Sequence, residues 1–353
     1  MKITPYTDRP DYCFWRTSVA SIEASDVDPA VNFPFRLAQT DRIATAGSCF
    51  AQHLARHLKK AGFNYLVTEP GHPLLSASIS EKFQYGLFSA RYGNVYTTRQ
   101  LVQLLERAYG YFSPRDDIWV SGGRYFDPFR PNVQPGGFRS KTELLEDRRR
   151  HLAAVRSMVQ QADVFVFTLG LTECWEDRDD GAVYPVAPGV IAGTYDPNRH
   201  AFRNLRVAEI VEDLNSAIRM FRNKNPNTRF ILTVSPVPLA ATMEDCHVLV
   251  STISSKARLR AACDEVTSAH LDVAYFPSYE IITGNFSKGA YYEDNLRDVR
   301  PAGVEHVMGC FLRNATMGST TSPALPKASV VNNRDMEAAF EQICEEAMLA
   351  AGR

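Results

Sequence analysis

The sequence predicts an α/β fold of three layers, helices on both faces of a mainly parallel sheet, and three observations predict it. Short apolar runs ending in Gly, Ser or Pro recur along the chain: RIATAGS (42–48), DVFVFTLG (163–170), RFILTVSP (229–236) and, more weakly, DVAYFPS (272–278). Their β-branched and aromatic content marks buried strands that end in loops. Amphipathic helical patterns separate the runs, as in a parallel sheet covered on both faces. Finally, 353 residues at 45% hydrophobic content suffice for a large core.

In chain order, residues 1–34 read as an N-terminal extension, and an α/β domain follows over 35–315. Pro5 and Pro10 break the first segment, which has no apolar run and does not read as a secretory leader. After the first strand, SCFAQHLARHLKKAG spaces Phe50, Leu54 and Leu58 at four residues and stops at Gly62, a helix. A second strand is expected before the loop EPGHPLL (69–75). Gly, Pro, aromatic and Arg residues then crowd a long insertion at about 110–150, whose aromatic content favours order. Beyond the strand at 163–170, Ile210, Leu214, Ile218 and Phe221 mark another helix, and a further helix is expected after Pro301. Residues 316–353 read as a linker and a C-terminal helix.

Forty acidic residues against thirty-nine Lys and Arg give no basic field, so neither nucleic acid nor a membrane surface is an expected partner. No run approaches the ~18 apolar residues of a membrane span. Seven scattered cysteines without a CxxC pair point to reduced thiols in a cytoplasm. No cofactor or metal motif is read; His53 and His57 lie four apart but lack a carboxylate partner, and are expected on a solvated helix face. Oligomeric state is not legible.

Ligand sites of such sheets lie at the carboxyl ends of the strands. At the first end, Ser48 is either a nucleophile, favoured by the amides and dipole of the helix that follows, or an N-cap with Gly47 easing the turn. Cys49 is either a thiolate lowered by the same dipole or a packed core residue. At the next end, TLGLTECW offers Gly170 for close backbone approach, Thr172 as a donor and Glu173 as a carboxylate; the plainer reading is a Gly turn with Glu173 paired at the surface.

Five ordered motifs, GSCFA (47–51), FSARYGNVYTTRQLVQLL (88–105), FTLGLTECW (167–175), LTVSPVPLAAT (232–242) and YFPSYEI (275–281), together resemble the bacterial GSCFA-domain family, related to the SGNH (GDSL-like) esterases and acyltransferases. The resemblance implies a flavodoxin-like SGNH topology and chemistry at an ester bond with Ser48 as nucleophile. It further implies an oxyanion hole, with Gly170 at the family Gly, Thr172 where Asn is usual, Glu173 where Asp is usual, and Gly93 and Asn94 as further donors beside the Ser48 amide. The last block, NLRDVRPAGVEHVM (295–308), departs from the usual Asp-x-x-His-Pro: aligning Pro301 puts Arg300 in the His slot and leaves Asp298 one place off. Arginine does not act as a base near neutral pH. His247, in the loop after the strand at 229–236, is the first choice of base, with Glu173, Glu244 or Asp245 to orient it; His306 is the second.

The function expected is ester hydrolysis or O-acyl transfer on a small-molecule or carbohydrate ester, sugar being suggested by Trp, Tyr and Arg in the loops at 88–99, 119–130 and 175–184. The alternatives are a non-catalytic sugar- or anion-binding protein in which Arg300, Arg91 and Arg297 clamp an anion, and acyl transfer from Cys49.

Overall fold

A computed structural model describes residues 4–317, so the expected C-terminal helix lies outside the described residues. The elements in order are β1 (Ile43–Gly47), α1 (Ala51–Lys60), α2 (Ala77–Lys82), α3 (Thr98–Tyr109), β2 (Trp119–Ser121), β3 (Arg124–Phe126), α4 (Lys141–Gln161), β4 (Val164–Leu169), β5 (Glu173–Asp177), β6 (Val183–Tyr184), β7 (His200–Asn204), α5 (Val207–Arg222), β8 (Arg229–Val234), α6 (Val248–Ala269), β9 (Val273–Tyr275), α7 (Ser278–Thr283) and α8 (Pro301–Ala315).

The central sheet has the order β1-β4-β8-β9, and every pairing in it is parallel. On the other side of β1, Tyr65 forms a parallel bridge to Ile43, framed by hydrogen bonds from the Ile43 amide to Asn64 and from the Leu66 amide to Ile43. The expected second strand is thus reduced to a bridge. Counting it, the order is 2-1-3-4-5, the flavodoxin-like arrangement, whose switch point falls between β1 and β4.

Alternation along the strands builds two cores. Phe165, Phe167, Phe230, Leu232 and Val273 face α3, α4, α5 and α6, where Ile210, Leu214, Ile218 and Phe221 are buried at the expected spacing. Ile43, Val164, Val166, Ile231 and Ala274 face α1, α7 and α8, and meet Phe50, Leu54 and Leu58. Burying each large apolar side chain stabilises the fold by ~1.5–3 kcal/mol, so both helical layers are held by packing rather than propensity.

The close approach of β1 to β4 explains Gly47. It has φ +141°, and a Cβ there would lie 2.3 Å from the Thr168 carbonyl oxygen. Gly47→Ala is expected to cost at least about 1–3 kcal/mol of backbone strain, seen as a lower urea midpoint. An unchanged midpoint would mean that the turn is looser than this packing requires.

Two regions differ from the sequence expectation. The insertion ends at Ser140, whose hydroxyl accepts from the Glu143 amide at 3.1 Å and caps α4, ten residues earlier than the expected limit of 150. It carries the hairpin β2-β3. A second addition, the antiparallel sheet β6-β5-β7, fills part of 173–204. Its strands are too short and polar to announce themselves by periodicity.

A buried ion network fastens the first insertion to the domain. Asp127 is fully buried and meets Arg130 at 3.0 Å and Arg148 at 3.3 Å. Asp147 bridges Arg91 at 2.9 Å and Arg130 at 2.8 Å, while the Glu69 carboxylate lies 2.7 Å from His151 Nδ1.

Candidate active site

The β1–α1 junction fixes Ser48. Its amide donates to the Thr168 carbonyl at 3.1 Å, extending the strand pairing by one residue. Helix α1 then begins at Ala51, with Phe50 as its N-cap and no side-chain cap bond. Ser48 is 2% exposed, and its Oγ has no hydrogen-bond partner among the described residues. The N-cap reading therefore fails: a capping hydroxyl accepts from the helix amides, and this one does not.

Around this hydroxyl lies a narrow cleft at the carboxyl ends of the sheet, lined by Ser48, Cys49, Tyr96, Gly170, Leu171, Ser235, Val237, Pro238, Leu239 and Lys256. Backbone bonds hold its walls in register. The Val95 amide donates to the Gly47 carbonyl at 2.9 Å, and the Gly170 and Leu171 amides donate to the Tyr96 carbonyl at 2.9 and 3.2 Å. The loop after Phe88 is thus clamped between the ends of β1 and β4, at the switch point. Ser235 joins through its amide to the Leu169 carbonyl at 2.8 Å. Lys256, from α6, is 2% exposed, and its Nζ donates to the Gly170 carbonyl at 2.5 Å.

Of the residues expected at the site, Ser48, Cys49 and Gly170 line this cleft. Cys49 is buried against Val237, as a packed neighbour would be. Gly170 gives close approach, since a Cβ on it would lie 3.1 Å from the Cβ of Ser48, but its amide is used by Tyr96. The Ser48 amide is likewise used by Thr168. Neither serves as an oxyanion donor without changing partner.

The other expected residues are elsewhere. Thr172 is fully buried; its amide donates to Ser255 Oγ at 3.0 Å and its hydroxyl to Asn204 Oδ1 at 2.7 Å, so it ties β7 to α6 instead of donating into the cleft. Glu173 is half-buried and accepts from the Thr242 hydroxyl at 2.7 Å and the Met243 amide at 3.3 Å, anchoring the loop after β8 and orienting no imidazole. Burial raises its carboxyl pKa. Asn94 is buried against a separate cavity with Gln100, Gln103 and Arg107. Gly93, at φ +68°, makes the turn that precedes it.

His247 is exposed and caps α6, its Nδ1 accepting from the Leu249 amide at 3.1 Å; it does not line the cleft. His306 is buried against the opposite helical layer, where Nδ1 meets the Tyr291 hydroxyl and Nε2 the Val27 carbonyl, both at 2.8 Å. Arg300 is held by Glu293 at 3.1 Å and Asp294 at 2.8 Å. Asp298 closes a local turn, accepting from Asn295 Nδ2 at 2.5 Å. Arg91 belongs to the buried network, with Nη1 on Asp147 and Nη2 on the Val133 carbonyl at 3.1 Å. The His53 and His57 side chains are half-buried on α1, not on a solvated face, and burial lowers both.

The setting of His306 makes its neutral form structural, and burial lowers its pKa from 6.5. Its stabilisation is complete above about pH 6.5 and is lost as the pH falls from there through the lowered folded value. Urea stability is expected to drop between pH 7.5 and 5.5 in the wild type, and less so in His306→Gln. Equal slopes would remove His306 from this dependence.

Asp116, Asp177 and His200 bring ligand-type atoms within 4.8 Å of one another. They do not suit a cation. His200 Nδ1 accepts the Asp196 amide at 3.0 Å, which leaves the proton of a neutral ring on Nε2, and Asp177 already pairs with Arg199 at 2.7 Å.

The GSCFA family profile matches residues 42–311. The chain belongs to the GSCFA family. The match spans β1 to most of α8, and so includes every wall of the Ser48 cleft. A solved structure from Streptococcus pneumonia, provisionally assigned as a platelet activating factor, shares 19% identity over 50% of this chain and 68% of its own, at a TM-score of 0.26. That superposition is too poor to add to the account of the fold. No curated protein gives a significant match. Among the described residues, no helix of this GSCFA protein is long and apolar enough to cross a membrane.

Sequence reasoning missed Tyr96, Ser235 and Lys256 as cleft residues. Lys256 had a readable signal: it shares a helical stripe with Leu259, Cys263 and Val266, all buried, and lysine seldom occupies such a position.

Proposed function

We propose that this GSCFA protein is a serine-dependent ester hydrolase or O-acyltransferase of the SGNH, GDSL-like kind, with Ser48 as nucleophile. One observation carries the reading: a buried serine hydroxyl without a hydrogen-bond partner stands at the switch point of a parallel sheet, in a cleft. A buried hydroxyl left unbonded costs about 1–3 kcal/mol, and such a cost is retained where the group has a reaction to perform. Attack of Oγ on an acyl carbonyl gives a tetrahedral oxyanion near the N-terminal end of α1, where the helix dipole favours negative charge. The acyl group then passes to water or to an acceptor hydroxyl.

Leu171 and Leu239 are shared between this cleft and a larger groove of about 240 Å³ whose walls include Trp175, Tyr184, Phe202 and Met243. Aromatic faces beside the half-buried Glu173 suit the apolar face of a sugar ring with its hydroxyls, so an acylated carbohydrate is the substrate proposed. A cytoplasmic location is proposed from the unpaired spacing of the cysteines. The anion-clamp alternative loses its motive, because Arg300 and Arg91 are committed to carboxylates away from the cleft. Acyl transfer from Cys49 is separated by variant kinetics.

The test is turnover of p-nitrophenyl acetate and of acetylated sugars by purified protein. Turnover that survives Cys49→Ala supports the reading. No turnover with any acyl donor would contradict it.

A further inference from the structure

We propose that Lys256 is the general base and acid of the Ser48 reaction, in place of the histidine that the sequence led one to expect; this rests on the esterase reading above. Among the described residues no histidine lines the cleft, and its titratable side chains besides Ser48 are Cys49, Tyr96 and Lys256. Lys256 and Ser48 line the same cleft and both approach Gly170, but Ser48 Oγ accepts no hydrogen bond among the described residues, so substrate binding or one bridging water brings the two groups into proton-transfer reach. Lys256 Nζ donates to the Gly170 carbonyl at 2.5 Å, and a Cβ placed on Gly170 would lie 3.1 Å from Ser48 Cβ.

The supporting structure holds the amine in place. On the turns of α6 around Lys256, Thr252 Oγ1 accepts the Leu239 amide at 3.3 Å and Ser255 Oγ accepts the Thr172 amide at 3.0 Å. Helix α6 is thereby fastened to Leu239 in the cleft wall and to Thr172, the residue that follows Leu171 of that wall. At 2% exposure the amine is held away from bulk water inside the cleft wall. The bond to Gly170 suits a proton-transfer role, since either form of the amine can donate a hydrogen to that carbonyl.

The cycle balances with these groups. The Lys256 amine takes the Ser48 hydroxyl proton as Oγ bonds to the acyl carbon and the carbonyl electron pair moves to oxygen. As the pair returns, the bond to the leaving oxygen breaks, and the Lys256 ammonium gives that oxygen its proton. Water or an acceptor hydroxyl then loses a proton to the amine while attacking the acyl-serine, and collapse returns the proton to Ser48 Oγ. A serine–lysine pair thus does the work of a serine–histidine pair.

The experiment compares wild type, Lys256→Met, Lys256→Arg and Ser48→Ala by pH-dependent kcat/KM on p-nitrophenyl acetate. Lys256→Met is expected to lose about 10²–10⁴-fold and the acid limb of the profile. Lys256→Arg should not recover it, because guanidinium accepts no proton. Lys256→Met or Lys256→Arg within about threefold of wild type, with Ser48→Ala inactive, would overturn the lysine assignment and leave the esterase reading intact. Full activity in Ser48→Ala would instead overturn the esterase reading. If the Lys256 variants do not fold, the wild-type acid limb decides: an amine's limb moves to lower pH on warming, and a limb that stays fixed, as a carboxylate's does, excludes lysine.

Discussion

Ser48→Ala is expected to lower kcat/KM for ester substrates at least ~10³-fold while the protein stays folded, because the nucleophile has no substitute in an acyl-transfer cycle. The stability half of this prediction is as informative as the kinetic half. An ordinary buried serine makes hydrogen bonds, and its loss leaves a partner unsatisfied. Ser48 Oγ has no partner among the described residues, so the alanine variant orphans nothing and removes a buried unbonded hydroxyl. Its urea midpoint should equal or exceed that of the wild type, by up to ~1 kcal/mol in stability. Lost activity with unchanged or raised stability marks a functional serine. Unchanged activity with lowered stability would mark a structural one.

Asp127→Asn is expected to have the largest effect on folding. Burial alone would raise the Asp127 carboxyl pKa, but the surrounding charges of Arg148, Arg130 and Arg107 outweigh it and hold the group well below the usual carboxylate range. Neutralising it removes the buried carboxylate that Arg130 and Arg148 share, leaving Arg130 with Asp147 and Arg148 with Asp117 alone, and breaking such a buried pair costs ~3–5 kcal/mol. Loss of the cooperative thermal transition, or a large drop in its midpoint, is the expected result. A midpoint within a few degrees of wild type would mean that the network relaxes or hydrates. The same group contributes to acid unfolding. Because its folded pKa is depressed, its stabilisation is present above the unfolded value near 3.9 and is lost as the pH falls towards the folded one. Glu69 behaves alike: burial raises it, but His151 and Arg130 bring it down to about 2.

The layers of the fold were legible in the sequence because they rest on local patterns. Phe50, Leu54 and Leu58 on α1, and Ile210, Leu214, Ile218 and Phe221 on α5, were spaced as helix faces and are buried as such. Ser48 was legible for a related reason: a Gly-Ser turn closing a buried strand before a helix fixes its place at the sheet's carboxyl edge. Its partners were not. Thr172 and Glu173 follow Gly170 in the chain, yet backbone direction turns them to Ser255 and Thr242. His247 was chosen for leaving the correct end of β8, but as the cap of α6 its ring serves that helix's first turn. Lys256 reaches the cleft from α6, more than two hundred residues from Ser48, and only a cation on an apolar helical stripe announced it. The antiparallel sheet β6-β5-β7 was hidden because β6 has two residues and β5 and β7, at five residues each, mix charged and polar side chains into both faces.

The central claim is that Ser48 forms the acyl-enzyme, and trapping that species tests it most directly. Wild-type protein acid-quenched during p-nitrophenyl acetate turnover, or treated with a fluorophosphonate, is digested and its adduct mapped by fragment-ion mass spectrometry. The account predicts a single modified site at Ser48, absent in Ser48→Ala and retained in Cys49→Ala. An adduct on Cys49, or continuing turnover with Ser48 unmodified and no acyl group on its peptide, would contradict it.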